Sequence, residues 1–358
     1  MPAQTTEDRA RVSVDALGDF YVRAFASAGL TDEDARTVSR ILLGADVHGI
    51  ESHGAPLAHG YINRIRNGLM NPRPKIRTVA EFPGTLVLDG DNGVGPVVAA
   101  HTMRRAIEKA RESGVGTVTV RHSNHFAATC NYPLMAAAEG LAGMAMTTTG
   151  PNVLPTFGNL PILGTNPIAI AFPGGKAEKP FLLDMSTSVV AMGKLGVYRR
   201  EGKELPSGWA VDAEMRPTTD ATRARHLLPL GGDRAHGGQK GYGLNVAVDL
   251  FCGLLGGGRV SAEIPKNATV PTEHTHMFSA WRIDAFVPVE EYAARFDTYV
   301  QMLHNTPVAA GHTRVLAPGD PEWLEEDDRR ANGIPLNPRV LADLHELAVE
   351  LNIPFELA

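Results

Sequence analysis

Cysteine is nearly absent: Cys130 and Cys252 are the only two in 358 residues. A disulfide framework is excluded, and so low a count suits a reducing cytosol, so a cytoplasmic location is expected. Each cysteine reads as a small buried hydrophobe. Long apolar runs are missing too. The best window, 244–255, is broken by Asn245 and Asp249, whereas a membrane span needs about 18 or more apolar residues in succession. The first eight residues, Met1 to Asp8, are polar, so neither a secretory leader nor an anchor is expected. Positive charge is not in surplus: a formal charge of -6 gives no general attraction for nucleic acid or an anionic membrane. Two nucleotide-binding signatures are also lacking. The stretch Asp91-Asn92-Gly93-Val94-Gly95-Pro96-Val97-Val98 follows a strand and opens a helix, yet Val98 occupies the third glycine position of a dinucleotide fingerprint and Pro96 removes an N–H. It reads as a structural strand–turn–helix junction. The run Gly237-Gly238-Gln239-Lys240-Gly241-Tyr242-Gly243 is no Walker loop, because Gly and not Ser or Thr follows the lysine.

What is present is an ordinary globular composition, 43% hydrophobic and 21% charged, which argues against disorder and leaves material for a large core in two packed regions. Thirty-seven glycines and 25 prolines favour many tight turns over a long helical bundle. Thr31-Asp32-Glu33-Asp34 is a helix start, a threonine cap followed by acids where the macrodipole favours them. Ala35, Val38, Leu42 and Ala45 then recur at helical spacing, and Gly49 ends the helix. A second helix is predicted over Ala55–Asn67, stopped by Gly68 and Asn71-Pro72-Arg73-Pro74. Strands are predicted at Thr85–Asp89, Thr117–Arg121, Gly143–Thr149, Ile168–Phe172 and Phe181–Asp184. Helices are predicted at Val97–Ser113, Tyr132–Glu139, Tyr242–Leu255 (with Leu244, Val248, Phe251 and Leu255 on one face), Val289–Leu303 and Pro338–Leu351. Segment 256–280 reads as loop. The expected architecture is α/β: a helical domain built from 1–78 plus 290–358, beside a mixed α/β domain over 79–289.

Several segments carry candidate chemistry. Gly49-Ile50-Glu51-Ser52-His53-Gly54 sets an imidazole, which titrates near neutrality, beside a hydroxyl and between glycines that let a ligand approach; a structural histidine is the other reading. Arg121-His122-Ser123-Asn124-His125-Phe126-Ala127-Ala128 follows a strand end, where α/β proteins place ligands. His125 with its wall of small residues suits a planar ligand or a hydrogen-bonded core. His122 and His125 lack a third ligand nearby, so no metal is expected. Gly164-Thr165-Asn166-Pro167 is a polar turn before a strand, and Leu183-Asp184-Met185-Ser186-Thr187-Ser188 offers a carboxylate to ribose hydroxyls or else caps a helix. Lys240 and free N–H groups at a helix start suit a phosphate or form a flexible turn.

These segments, in this order, resemble the type-2 malate/L-lactate dehydrogenase family over residues 12 to 352. The landmarks are Gly49 to Gly54, Ser123-Asn124-His125-Phe126, Gly164 to Ala169, Leu183 to Ser188 and Lys240-Gly241-Tyr242-Gly243-Leu244. The resemblance implies a non-Rossmann mixed-sheet cofactor domain, NAD or NADP as cofactor, a small-molecule substrate and a homodimer with its site near the subunit boundary. It implies that His53 exchanges a proton with the substrate oxygen while Ser52 orients it, with Lys194 as a charged partner tuning pH dependence and His125 as the rival acid/base. Implied cofactor contacts are His125, Phe126, Ala127, Ala128, Thr149, Leu183, Asp184, Met185, Ser186, Gln239, Lys240, Pro318, Gly319 and Asp320.

One departure stands out. Many relatives carry Arg four residues after the histidine to clamp a substrate carboxylate; here that position is Leu57. Arg64 shares that helix face but lies about 10 Å along it. His48, Lys194 or another segment is left for the role, and Asn166 is a further substrate candidate. The insertion Asp233-Arg234-Ala235-His236 bears on NAD against NADP. The expected reaction is reduction of a small 2-oxo acid to the 2-hydroxy acid and its reverse. Reduction of a cyclic imino acid to an amino acid such as proline or pipecolate is the alternative, and a non-catalytic nucleotide-binding protein or a metal-dependent hydrolase are readings from other classes.

Overall fold

The computed structural model describes residues 10–266 and 269–357, so the polar start at Met1–Asp8 lies outside the described residues. The chain opens with β1 (Ala10–Val12), α1 (Val14–Ser27), α2 (Asp32–Val47) and α3 (Ala55–Arg66). As expected, Thr31 caps α2, its Oγ1 accepting the Asp34 N–H at 3.1 Å. Then follow β2 (Arg77–Phe82), β3 (Thr85–Asp89), α4 (Gly95–Ser113), β4 (Val115–Ser123), α5 (Asn131–Ala138), β5 (Leu141–Thr147), β6 (Ile168–Phe172) and β7 (Phe181–Met185). A small lobe holds α6 (Met192–Glu201), β8 (Ala210–Val211), β9 (Pro217–Thr218) and β10 (His226–Leu227) around its own core of Val153, Leu195, Leu205 and Leu227. The remainder is α7 (Gly238–Val248), β11 (His274–Arg282), α8 (Val289–His304), α9 (Asp320–Asn332), β12 (Ile334–Leu336) and α10 (Pro338–Leu351).

Two expectations are corrected. Segment 256–280 is not all loop, because β11 occupies the middle of the seven-stranded sheet, whose order is β2-β3-β4-β11-β5-β6-β7. Its His, Thr and Ser residues disguise a strand buried on both faces, where polarity is tolerated because each group is paired. The helix at 242–255 starts earlier, at Gly238, and passes into a π-helical turn over Asp249–Leu254. Only Val248 of its predicted apolar face is buried; Leu244, Phe251 and Leu255 are exposed.

The sheet is mixed. β3 and β4 run parallel, joined by α4, and every other neighbouring pair is antiparallel. Both chain ends come together, since β1 pairs antiparallel with β12, Val12 facing Ile334. One apolar core is continuous from Leu17, Phe20 and Leu42 in the N-terminal helices through Val118 and Phe278 in the sheet to Leu344 in α10. Among the described residues no helix is long and apolar enough to cross a membrane.

Candidate active site

Strand direction gathers the chemistry-bearing segments at one rim of the sheet. β4 and β5 end there at Ser123 and Thr147, β7 ends there at Met185, and the antiparallel β11 and β6 begin there at His274 and Ile168. The segments His125–Ala128, Thr149, Gly164–Pro167 and Leu183–Ser188 therefore share an edge despite their separation in sequence.

His53 reaches this rim from the turn between α2 and α3. Its ring lies nearly parallel to that of His125, centroids 5.6 Å apart and planes 27° apart. Ser52 Oγ stands 2.7 Å from His53 Nδ1, which fixes the ring and leaves Nε2 without a partner among the described residues. The flanking glycines do not open space for a ligand, as the sequence suggested. A Cβ on Gly54 would fall 1.9 Å from Asp46 Oδ1, and one on Gly49 would fall 2.9 Å from Glu325 Cγ. Protein atoms already fill both gaps.

The second ring is fixed by a residue the sequence reading passed over. Tyr61 Oη accepts the Ala127 N–H at 3.0 Å and donates its own proton to His125 Nδ1 at 2.6 Å. The Ala127 N–H also points at Nδ1, at 3.4 Å, which makes that nitrogen the acceptor and puts the His125 proton on Nε2. Behind it, His274 donates from Nδ1 to the Thr148 carbonyl at 2.8 Å. His276 has both nitrogens engaged, Nδ1 with Thr147 Oγ1 and Nε2 with Ser123 Oγ. Burial lowers the proton affinity of all four imidazoles: His274 falls to about 4, and His125 and His276 fall well below the ordinary value. For His53, too, burial is the cause. Lys194 is exposed in the first turn of α6, and a Cβ built on neighbouring Gly193 would stand 3.9 Å from Ser52 Cβ.

The candidate cofactor residues divide into two groups. Phe126 is core, stacked between His276 at 4.5 Å and Tyr132 at 4.7 Å, and the Ala127 and Ala128 side chains are buried as well. The backbone takes a left-handed conformation at Ala127 (φ 66°), and all three residues lie beneath the surface, behind the His125 ring that precedes them in the chain. Leu183, Asp184, Met185, Ser186 and Thr149 are partly exposed. Asp184 Oδ2 accepts the Cys130 N–H at 2.9 Å, tying β7 to the His125 segment, and burial pushes its carboxyl up to about 6. The Pro318-Gly319-Asp320 turn lies against β7 through the Leu182 N–H, which donates to the Pro318 carbonyl. Beside it opens a cavity of about 880 Å³ lined by Phe172, Phe181, Tyr292, Pro318, Asp320 and Trp323. At the start of α7, Gly238 donates its N–H to the Asp233 carbonyl and Lys240 to that of Gly237, so fewer amides are free than expected. Lys240 is exposed, and the buried Oε1 of Gln239 has no partner among the described residues. Among those residues no group of three or more His, Cys, Asp or Glu is placed to hold a metal ion.

The malate/L-lactate dehydrogenase family model matches residues 12–345. A malate dehydrogenase of Pyrococcus abyssi is 41% identical over 351 residues, 97% of this chain and 96% of that protein. The chain belongs to the malate/L-lactate dehydrogenase family. Being a member, it is an oxidoreductase. The solved sulfolactate dehydrogenase of Methanocaldococcus jannaschii is similar at 33% identity and a TM-score of 0.89, covering 96% of this chain and 98% of that one. The solved delta1-piperideine-2-carboxylate reductase of Pseudomonas syringae is similar at 29% identity and 0.83, covering 95% and 100%.

Within this family member the three substrate candidates fare differently. Asn166 is fully buried, its Oδ1 accepting from Thr149 N and Ser261 Oγ and its Nδ2 donating to Asn245 and Asp249. Both ends of its amide are engaged, so direct substrate contact is corrected: it clamps the 164–167 turn to α7. His48 caps α2 and faces α9, edge-on to Trp323 at 5.3 Å and 3.7 Å from Glu326, and it lies near enough to Asp184 to act on that carboxyl. Leu57 is half-buried in the first turn of α3 and packs on the core, an apolar wall one turn before Tyr61. Arg64, one turn beyond Tyr61, lies near enough to His274 to depress it further.

Proposed function

We propose that this protein transfers hydride reversibly between a nicotinamide nucleotide, NAD or NADP, and a small 2-oxo/2-hydroxy acid, with His53 as general acid and base. One observation carries the reading: two neutral imidazoles, His53 and His125, stand face to face at the sheet rim, each with Nδ1 anchored and Nε2 unspent. The cofactor fits the donor set of the rim. The orphaned Oε1 of Gln239 offers an acceptor beside the Lys240 charge, and the Asp184 carboxyl offers one to a diol. Leu183 to Ser186, Thr149, Gln239, Lys240 and the turn at Pro318 to Asp320 would hold it. The bound nicotinamide supplies or accepts the hydride.

The chain's own residues do the remainder. In oxidation, His53 Nε2 removes the hydroxyl proton; in reduction, protonated His53 returns it. Ser52 holds the ring, His125 Nε2–H donates a hydrogen bond at the reacting centre, and Lys194, next to the Gly193 that lies against Ser52, is the charged partner of this group. We assign 1–78 plus 290–358 to a helical domain that delivers His53, and 79–289 to the cofactor domain. The exposed apolar residues Leu244, Leu250, Phe251, Leu254 and Leu255 support a homodimer.

A second reading, reduction of a cyclic imino acid, is favoured by one observation: the apolar wall at Leu57 stands where many relatives carry a guanidinium. A panel of 2-oxo acids and cyclic imines, run with NADH and NADPH and followed by absorbance, separates the two. Turnover of imines alone would overturn the hydroxy-acid reading, and cofactor binding without any turnover would overturn catalysis.

A further inference from the structure

The turn that carries Ser52 and His53 has an anchor that neither touches the rim nor takes part in proton transfer. The N-cap of α3 is Gly54, which has no side chain with which to cap the helix. The cap arrives instead from the last turn of α2. Asp46 Oδ1 accepts the Ala55 N–H at 2.9 Å, while Oδ2 accepts the Tyr21 hydroxyl at 2.7 Å. The carboxylate fills the space a side chain at Gly54 would need. The backbone carbonyl of Asp46 is held in turn by Arg329 of α9, at 2.8 Å, and Arg329 also reaches Glu51 at 3.3 Å and Glu325 at 2.8 Å. Asp46 and Arg329 are both buried. Helices α1, α3 and α9 thus converge on one residue of α2 just beneath the His53 turn.

We propose that Asp46 is a positioning residue for the reaction, capping α3 from outside that helix and so holding the His53 ring against His125. An isolated helix N-terminus favours negative charge and a side-chain acceptor. Here the acceptor is borrowed, because the glycine that makes room for the carboxylate cannot supply one. Retaining a carboxylate at this depth is costly, and burial pushes it up to about 7 against the hydrogen bonds from Tyr21 and Ala55. A packing role alone would be filled more cheaply by an apolar side chain, whereas an oriented acceptor requires oxygen. Tyr21 is the second pin, since its hydroxyl keeps Oδ2 from turning and leaves Oδ1 aimed at Ala55.

This inference rests on the reading of His53 as the acid/base group, and the test separates the two. The purified full chain carrying Asp46→Ala, Asp46→Asn, Tyr21→Phe or His53→Ala is assayed at saturating cofactor and substrate, with NADH affinity measured by fluorescence titration. Asp46→Ala is expected to lower kcat about tenfold or more with NADH affinity within about twofold of the parent. Asp46→Asn, which keeps an oxygen for the Ala55 N–H, is expected to restore most of it. Parental kcat in Asp46→Ala, or a joint loss of kcat and NADH affinity that Asn does not rescue, overturns the inference. If Asp46→Ala fails to fold, Tyr21→Phe decides: a severalfold fall in kcat at constant NADH affinity supports it and an unchanged kcat overturns it. Full activity in His53→Ala would instead overturn the functional reading itself.

Discussion

The two ends of the imidazole row differ in how their nitrogens are used. At the inner end His276 is enclosed by Ser123, Thr147 and Phe126, and both ring nitrogens are bonded to protein. At the outer end His53 and His125 are anchored through Nδ1 only. Burial depresses proton affinity at both ends, so a depressed affinity does not single out the reacting group. What distinguishes the outer pair from His276 is an unspent Nε2 on an anchored ring, and what distinguishes it from His274, which is also bonded through Nδ1, is exposure: His274 is buried, whereas His53 and His125 are partly exposed. Depth also separates the two ends: the inner ring is spent on joining strands of the sheet, and the outer rings are the ones proposed to meet a ligand.

The largest expected effect breaks the comparison at its outer end. His53→Ala should cut turnover by on the order of 10²–10⁴, the usual worth of a positioned acid/base, with cofactor affinity largely kept. A larger loss in His125→Ala, with His53→Ala active, would exchange the two roles. At the inner end, His276→Ala should lower unfolding free energy by roughly 2–4 kcal/mol, since it opens a cavity and strips two buried hydroxyls of a partner; chemical denaturation measures it. A variant as stable as the parent would deny that end its structural role. Tyr61→Phe sharpens the contrast by freeing the His125 tautomer, and kcat should fall on the order of tenfold while the fold survives. Smallest is Lys240→Ala, expected to weaken cofactor binding a few-fold with kcat retained. An unchanged affinity in titration would remove Lys240 from the cofactor site.

Much of this was legible in the sequence where a local signal agreed with the tertiary context. Thr85–Asp89, Ile168–Phe172 and Pro338–Leu351 appear with their expected bounds, because apolar residues of each are buried in a hydrophobic cluster. β11 was hidden because a strand buried on both faces does not alternate, and its His274, Thr275, His276 and Ser279 look like loop until their partners on β4 and β5 are in place. Tyr61 was passed over for a related reason. At helical spacing from Leu57 and Ile65 it reads as core, and only the strand end brought against it turns the phenol into a tautomer lock. Phe126, Ala127 and Ala128 show the opposite failure, since a motif can mark a segment without showing which of its residues are buried. Likewise Gly54 is required by the Asp46 carboxylate behind it, a neighbour that eight residues of separation do not disclose.

The most direct test is the pH dependence of kcat/KM for alcohol oxidation, compared between the parent and His53→Gln. Burial lowers the His53 value below the ordinary 6.5, so the neutral base form persists to lower pH than in a free imidazole. Oxidation should therefore hold level through neutrality and fall only as pH drops through that lowered value, while reduction should fall as pH rises through it. The account predicts that His53→Gln is slow and lacks this acid limb. A variant that keeps the same limb at near-parental rate would contradict proton transfer through residue 53.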